Sequence, residues 1–216
     1  MNYHNITYPD MNNGEGLRVV LWLSGCSHKC KGCQNPQTWD VNSGIPFDKS
    51  AKEELFRELD KDYISGLTLT GGDPLFEDNL DDVLDLVTEV NKRYNTPQDK
   101  VYVTDKNNNI LMNFPDKIRL SKTQNSIWLY TGYVWEDIMN YITPFNNVIT
   151  TSNDEILYDY QMWKRQEIIK RCNVLIDGQY IDSRRDITLS YRGSSNQRLI
   201  DIQQSLQKGE IVLWQT

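Results

Sequence analysis

An α/β fold built on parallel strands is what this 216-residue chain predicts. Apolar runs of strand length alternate with stripes of helical period, the pattern of βαβ units. Two of those runs end in loops suited to a site. "LRVVLWLSG" (17–25) leads into three cysteines, and "SGLTLTGG" (65–72) leads into Asp-Pro. In parallel sheets the loops at the carboxyl ends of the strands build the site, so neighbouring strands place both loops at one mouth.

Taken in order, 17–25 reads as a buried strand running into a loop. "SAKEELFREL" (50–59) reads as a helix, with Ser50 and Glu53 at capping-box spacing and Leu55 and Leu59 on one face. The run 65–72 is a second strand. "NLDDVLDLVTEVNKRY" (79–94) is the clearest amphipathic helix, with Leu80, Val83, Leu84, Val87 and Val90 in one stripe. "KVYVT" (100–104) reads as a strand. The stretch 105–126 is polar and interrupted, and reads as an insertion or a hairpin with loops. "IWLY" (127–130) is a strand, "WEDIMNYI" (135–142) a short helix, and 155–171 a longer one. "CNVLID" (172–177) is a buried strand, with Asp177-Gly178 as a turn. The tail reads as short strands and loops. No repeat, low-complexity tract or linker divides the chain, so residues 1–216 are expected to form one domain with the insertion at about 105–126.

Composition narrows the function. Hydrophobic residues make up 38% and aromatic residues 11%, enough for a globular core. The net charge of −7 comes with no Lys/Arg-rich run, which argues against nucleic acid as a partner. The first residues carry no basic-then-apolar signal pattern, and no apolar run has the length of a membrane span. A cytoplasmic protein with no membrane partner is expected. In that reducing compartment, clustered cysteines more often bind metal or do redox chemistry than form disulfides.

Cys26, Cys30 and Cys33 have the spacing C-x3-C-x2-C, and the rest of the chain holds one more cysteine, Cys172. Thiolates are soft ligands suited to zinc or iron–sulfur. A closed zinc site takes four ligands, so that reading needs His28 or Cys172 as the fourth. Cys172 opens an apolar strand, where a lone cysteine behaves as a small buried hydrophobe. A [4Fe–4S] cluster normally takes four cysteines, and three leave one iron open. An open position is the mark of a metal centre that does chemistry.

The C-x3-C-x2-C loop behind a strand resembles the signature of the radical S-adenosylmethionine (radical SAM) enzymes. "TGGDP" (70–74) is similar to their Gly-Gly-acidic-Pro motif. "GCSHKCKGCQNPQTWD", "GLTLTGGDPL", "IWLYTGYVWEDI", "NVLIDGQYI" and "YRGSSNQRLID" together resemble one branch, the activating proteins of anaerobic ribonucleoside-triphosphate reductase. The blocks run from residue 14 to about 201.

The resemblance implies an incomplete β/α barrel of the radical SAM type, with the cluster loop after the first strand. It implies a [4Fe–4S] cluster on Cys26, Cys30 and Cys33, with the methionine part of S-adenosylmethionine (SAM) on the open iron. A 5′-deoxyadenosyl radical would then take hydrogen from a glycine of the reductase. Implied partners are that glycyl-radical subunit and reduced flavodoxin or a similar electron donor. Gly71, Gly72 and Asp73 are implied to meet the methionine amino group. Gly32, Cys33 and Gln34 are implied to offer backbone contacts to adenine. Many radical SAM loops carry an aromatic residue before the third cysteine, where this chain has Gly32.

Taken alone, Gly-Gly-Asp-Pro is also ordinary turn chemistry. His28 reads either as a group tuning the cluster or as a solvated loop residue. Lys29 and Lys31 either offset the anionic cluster, attract an acidic donor, or form a solvated face. Asn35 either braces the loop through its amide or is plain loop. The block 191–201, with Arg192, Asn196, Gln197 and Arg198, fits part of the mouth, a docking surface, or a polar loop. Trp128, Tyr130, Tyr133 and Trp135 read as core or rim. A zinc-binding interaction module and a radical SAM enzyme acting on a small molecule are the competing functions. The short chain, with little protein to enclose a substrate, favours a macromolecular one.

Overall fold

The computed structural model of the protein describes residues 1–95, 102–104, 110–113, 125–142 and 153–215. Its elements are β1 (Asn2–Asp10), β2 (Leu17–Leu23), β3 (Ile45–Pro46), α1 (Lys49–Leu59), β4 (Ile64–Gly71), α2 (Leu80–Val90), β5 (Tyr102–Thr104), β6 (Ile110–Asn113), β7 (Ser126–Tyr130), α3 (Trp135–Met139), α4 (Asn153–Lys170), β8 (Val174–Asp177), β9 (Arg198–Asp201) and α5 (Ile202–Lys208). Seven strands form one mixed sheet in the order β3-β1-β2-β4-β7-β8-β9. Its edges, β3 and β9, are not paired with each other, so the sheet stays open, as an incomplete barrel requires.

The expectation of parallel strands holds for β2, β4, β7 and β8. The flanks differ. β1 and β9 run antiparallel to their neighbours. A short link allows only an antiparallel return, and six residues join β1 to β2. The cysteine loop therefore follows the second strand of the chain, not the first. β1 escaped the sequence reading because Tyr3 and Ile6 are both buried although three positions apart. A register shift between Tyr3 and Asn5 brings them to one face and breaks the alternation.

Strand alternation sorts the side chains onto two faces. Val19, Leu21 and Leu23 of β2, Leu67 and Leu69 of β4, and Ile127 and Leu129 of β7 join the core under the helices. Trp128, Val174, Ile176 and Leu199 form a second cluster on the inner face, with Tyr191 and Trp214 of the tail against it. Arg18 of β2 is fully buried. Its guanidinium donates to Thr68 Oγ1 (2.6 Å), Leu67 O (2.6 Å), Ser126 Oγ (3.0 Å), Ser126 O (2.9 Å) and Glu15 O (3.2 Å). It lies over the Trp128 ring, 5.2 Å from the centroid. Burial lowers its pKa to about 9, so it stays charged at neutral pH.

Three local expectations change. Asp48, not Ser50, caps α1, its side chain accepting from Ala51 N at 3.0 Å. In α2 the buried stripe contains Leu86, while Leu84 is only partly buried. Residues 102–104 form a strand but pair antiparallel with 110–113, apart from the main sheet. β7 takes the place beside β4. The rest of the expected insertion lies outside the described residues. Among the described residues, no helix is long and apolar enough to cross a membrane.

Candidate active site

The cysteine loop leaves β2 at Ser24 and closes on itself. Gly25 N donates to Thr38 O at 2.8 Å and Cys26 N to Trp39 O at 3.1 Å. Asn35 braces the loop through its backbone: its carbonyl accepts from Thr38 Oγ1 at 2.7 Å, and its N–H donates to Cys33 Sγ at 3.4 Å. Backbone N–H groups of His28 and Lys29 point at Cys26, and that of Tyr180 at Cys30. All three cysteines are free and half-buried. Burial pushes the Cys26 thiol up to about 11 and raises that of Cys30 as well. Both are protonated in the metal-free chain and must lose protons to ligate.

β4 delivers Gly71 and Gly72 beside this loop. Gly72 N donates to Leu23 O and Asp73 N to Gly25 O, each at 2.7 Å. Gly71 has φ +101°, and an added Cβ would sit 2.7 Å from Leu23 N. A Cβ on Gly72 would collide with Gly25 O. The glycines therefore let two backbones lock together, in addition to lining the cleft.

Asp73 is 2% exposed. Its carboxylate accepts from Leu75 N, Thr131 Oγ1 and Gly132 N, all at 2.9 Å. His28 Nε2 lies 3.0 Å from Asp73 Oδ2, without the alignment of a hydrogen bond. Gln179 Nε2 is 3.1 Å from His28 Nδ1. The ring stands edge-on to Tyr133, 4.6 Å between centroids, and over Gly132, where a Cβ would strike it. His28 is thus a partly buried tie between the cysteine loop and the loops after β4, β7 and β8. Asn79 adds a second tie, its Nδ2 donating to Ser24 O at 2.7 Å and facing Asp73 O at 3.3 Å.

Cys26, Cys30, Cys33, Gln34, Gly71, Gly72 and Asp73 line one cleft. Gly32 does not. It turns outward with φ +77°, and an added Cβ would meet Asp182 Oδ1 at 2.8 Å. The block 191–201 folds back over the rim. Gln197 Nε2 donates to Gly178 O at 3.0 Å, and Asn196 Nδ2 to Gln179 O at 2.8 Å. Arg198 plays a structural part, bridging fully buried Asp177 and Glu136. Tyr130, read as core or rim, also lines the cleft, and so do Trp22 and Thr70, which went unrecognised in the sequence. The available signal was their place, at the carboxyl ends of β2, β4 and β7 on the face opposite the helices.

The donor set fits a cluster better than a single ion. Among the described residues, no three or more Cys, His, Asp or Glu converge as one ion requires. A cluster offers each thiolate its own iron, and N–H groups at the sulfurs suit its negative charge. Cys172 is excluded as a ligand by position. It is fully buried at the start of β8, donating to Ile168 O at 3.2 Å, whereas the cleft lies at the strands' other ends. The zinc reading lacks its fourth ligand: Cys172 is in the core, and His28, although it lines the cleft, does not converge with the cysteines on one ion among the described residues.

A family model described as a 4Fe-4S single cluster domain matches residues 12–105 and 102–200. The anaerobic ribonucleoside-triphosphate reductase-activating protein of Enterobacteria phage T4 is 36% identical over 92% of this chain and 93% of its own. This chain belongs to the reductase-activating protein family. The proteins of that name from Escherichia coli K12 and Vibrio cholerae are each 31% identical over 91% of this chain and 96% of theirs. The span of the family-model match takes in the cleft from the cysteine loop to Arg198. The 4Fe-4S model supports an iron–sulfur centre in this chain.

Proposed function

We propose that the protein is a glycyl-radical activase with a partial barrel of the radical SAM type. The relatives' names point to anaerobic ribonucleoside-triphosphate reductase as its target. A bound [4Fe–4S] cluster supplies one electron for reductive cleavage of SAM to methionine and a 5′-deoxyadenosyl radical, which takes hydrogen from a glycine of the reductase. The observation that carries the reading is a loop of three half-buried thiols, each met by backbone N–H groups, facing a Gly-Gly strand end across one cleft.

Cys26, Cys30 and Cys33 would hold three irons. Gly71 and Gly72, which line the cleft without side chains, would meet the methionine end of SAM. Cys33 and Gln34, which line the cleft, would meet the adenosine end through their backbone, with Gly32 giving the loop its left-handed turn. Asp73 acts on the ligand from behind. Its carboxylate is spent on Thr131, Gly132 and His28, so it holds the cleft walls in register. The cleft measures about 190 Å³, below the roughly 300–1,000 Å³ of sites that enclose a small ligand. A macromolecular substrate lying across the mouth would complete it and exclude water.

The test is anaerobic iron reconstitution, dithionite reduction, and EPR with and without SAM. A [4Fe–4S]⁺ signal whose shape changes with SAM is expected. A colourless, EPR-silent protein that retains zinc would sink the proposal.

A further inference from the structure

Several cations on or beside the helices sit against glutamates, as Lys52 and Arg93 do with Glu89, and Lys170 and Arg171 with Glu167, while Lys208 of α5 stands alone among the described residues. The cations around the cysteine loop are different. Lys29 and Lys31 of the loop, and Arg184 and Arg185 of the facing segment, are exposed and make no ion pair among the described residues. Structural contacts bring the two groups together. Gly32, next to Lys31, packs on Asp182. Tyr180 puts its backbone N–H at Cys30 and donates its hydroxyl to Asp182 at 2.9 Å. The charge of Arg185 reaches Tyr180.

With Arg192 the rim carries five cations against two carboxylates, Asp182 and Asp186, on a chain of net charge −7. Asp186 closes its own turn at the surface, accepting from the Thr188 N–H at 2.9 Å and hydroxyl at 2.6 Å, and the charge of Arg192 reaches it. Lys29, Lys31 and Gly32 face away from the cleft. The loop therefore has an inner face toward the Gly-Gly strand end and an outer, positive face behind the same cysteines. Unpaired charge of one sign beside a redox site raises the encounter rate with an oppositely charged partner by about 10–10³-fold.

We propose that this outer rim docks an acidic one-electron donor protein, leaving the inner cleft free for the substrate; the proposal rests on the iron–sulfur reading above. One electron leaves the reduced donor and one is gained at the iron–sulfur centre. No bond forms or breaks in that step.

The experiment uses cluster-loaded protein and a reduced flavodoxin, an acidic flavoprotein, as probe. The double variant Lys31→Glu with Arg184→Glu is compared with wild type for flavodoxin affinity and for the rate of cluster reduction, over a salt series. Expected is at least a tenfold loss of affinity and rate at low salt. Wild-type binding should weaken steeply with salt, the variant's hardly at all. Reductase binding and the extent of dithionite reduction should not change. Unaltered flavodoxin affinity overturns the proposal, as does a loss confined to reductase binding, which would make the rim the substrate's dock. Failure to gain cluster absorbance on reconstitution shows before any donor is added. That result would end the iron–sulfur reading and this proposal with it.

Discussion

Cys26, Cys30 and Cys33 differ from Cys172 in surroundings, not chemistry. Three are half-buried at a mouth with N–H donors around them, and the fourth is sealed in the core, where burial raises its pKa. Cys26→Ala, Cys30→Ala and Cys33→Ala should each reduce bound iron and visible absorbance to background after reconstitution. Cys172→Ala should keep both and lower stability by about 1 kcal/mol, the scale of one small core truncation. Iron loss in Cys172→Ala would refute the three-ligand set. Gly132 makes a finer case, since a Cβ there strikes the His28 ring. Gly132→Ala should displace His28 from Asp73, change the SAM-dependent EPR line shape, and slow cleavage by about 10–100-fold through misplacement. An unchanged line shape and rate would reduce His28 to packing. The thiol spacing was legible in the sequence because it is local. The role of Asp73 was not, because its partners Thr131 and Gly132 arrive from another strand.

At the scale of elements, β8 and β9 are held by an ion pair as well as by their ladder. Arg198 bridges Asp177, fully buried, to Glu136 at the start of α3, and Asp177 also accepts from Trp135 N at 2.9 Å. Arg198→Ala should cost about 3 kcal/mol, near the low end for breaking a buried pair because Arg198 reaches solvent. Denaturant unfolding reads that loss. The hydrogen bond from Arg198 also holds the Glu136 carboxyl down to about 2, from 4.5. A lowered carboxyl pKa supports the fold above pH 4.5, and that support fades as pH falls toward 2. The gap between wild type and variant should therefore narrow across that window, and a gap that widens there would contradict the pairing. Sequence reading put Arg198 in a polar loop of open role, since nothing local marks its partners 21 and 62 residues away. Helices were easier: the stripe of α2 shows directly in its period, and only Leu84 and Leu86 were exchanged.

Across the whole molecule, Arg18 joins β2, β4 and β7 on the inner face without a carboxylate in ion-pair contact among the described residues. Two large effects compete there. Desolvating the charge costs several kcal/mol, while hydrogen bonds from a charged donor return about 1.5–3 kcal/mol each. With five such bonds the gain prevails. Arg18→Ala should cost at least about 3 kcal/mol, because it leaves a cavity and strips the partners of Thr68 and Ser126. Thermal unfolding of the metal-free protein measures this. A variant as stable as wild type would mean that water takes over the guanidinium's bonds.

The α/β class, the strands β2, β4, β7 and β8, the cysteine loop and the Gly-Gly strand end were legible in sequence alone, because each is written in contiguous residues by period or spacing, whereas the strand read at 100–104 looked no different and left the main sheet. The antiparallel flanks, the exclusion of Cys172, the tie of His28 to Asp73 and the charged outer rim were decided only by tertiary structure. Each depends on which distant segments meet. Period 2 and period 3.6 report a residue's face, but not the neighbour across it. A bulge such as that in β1 erases even the period.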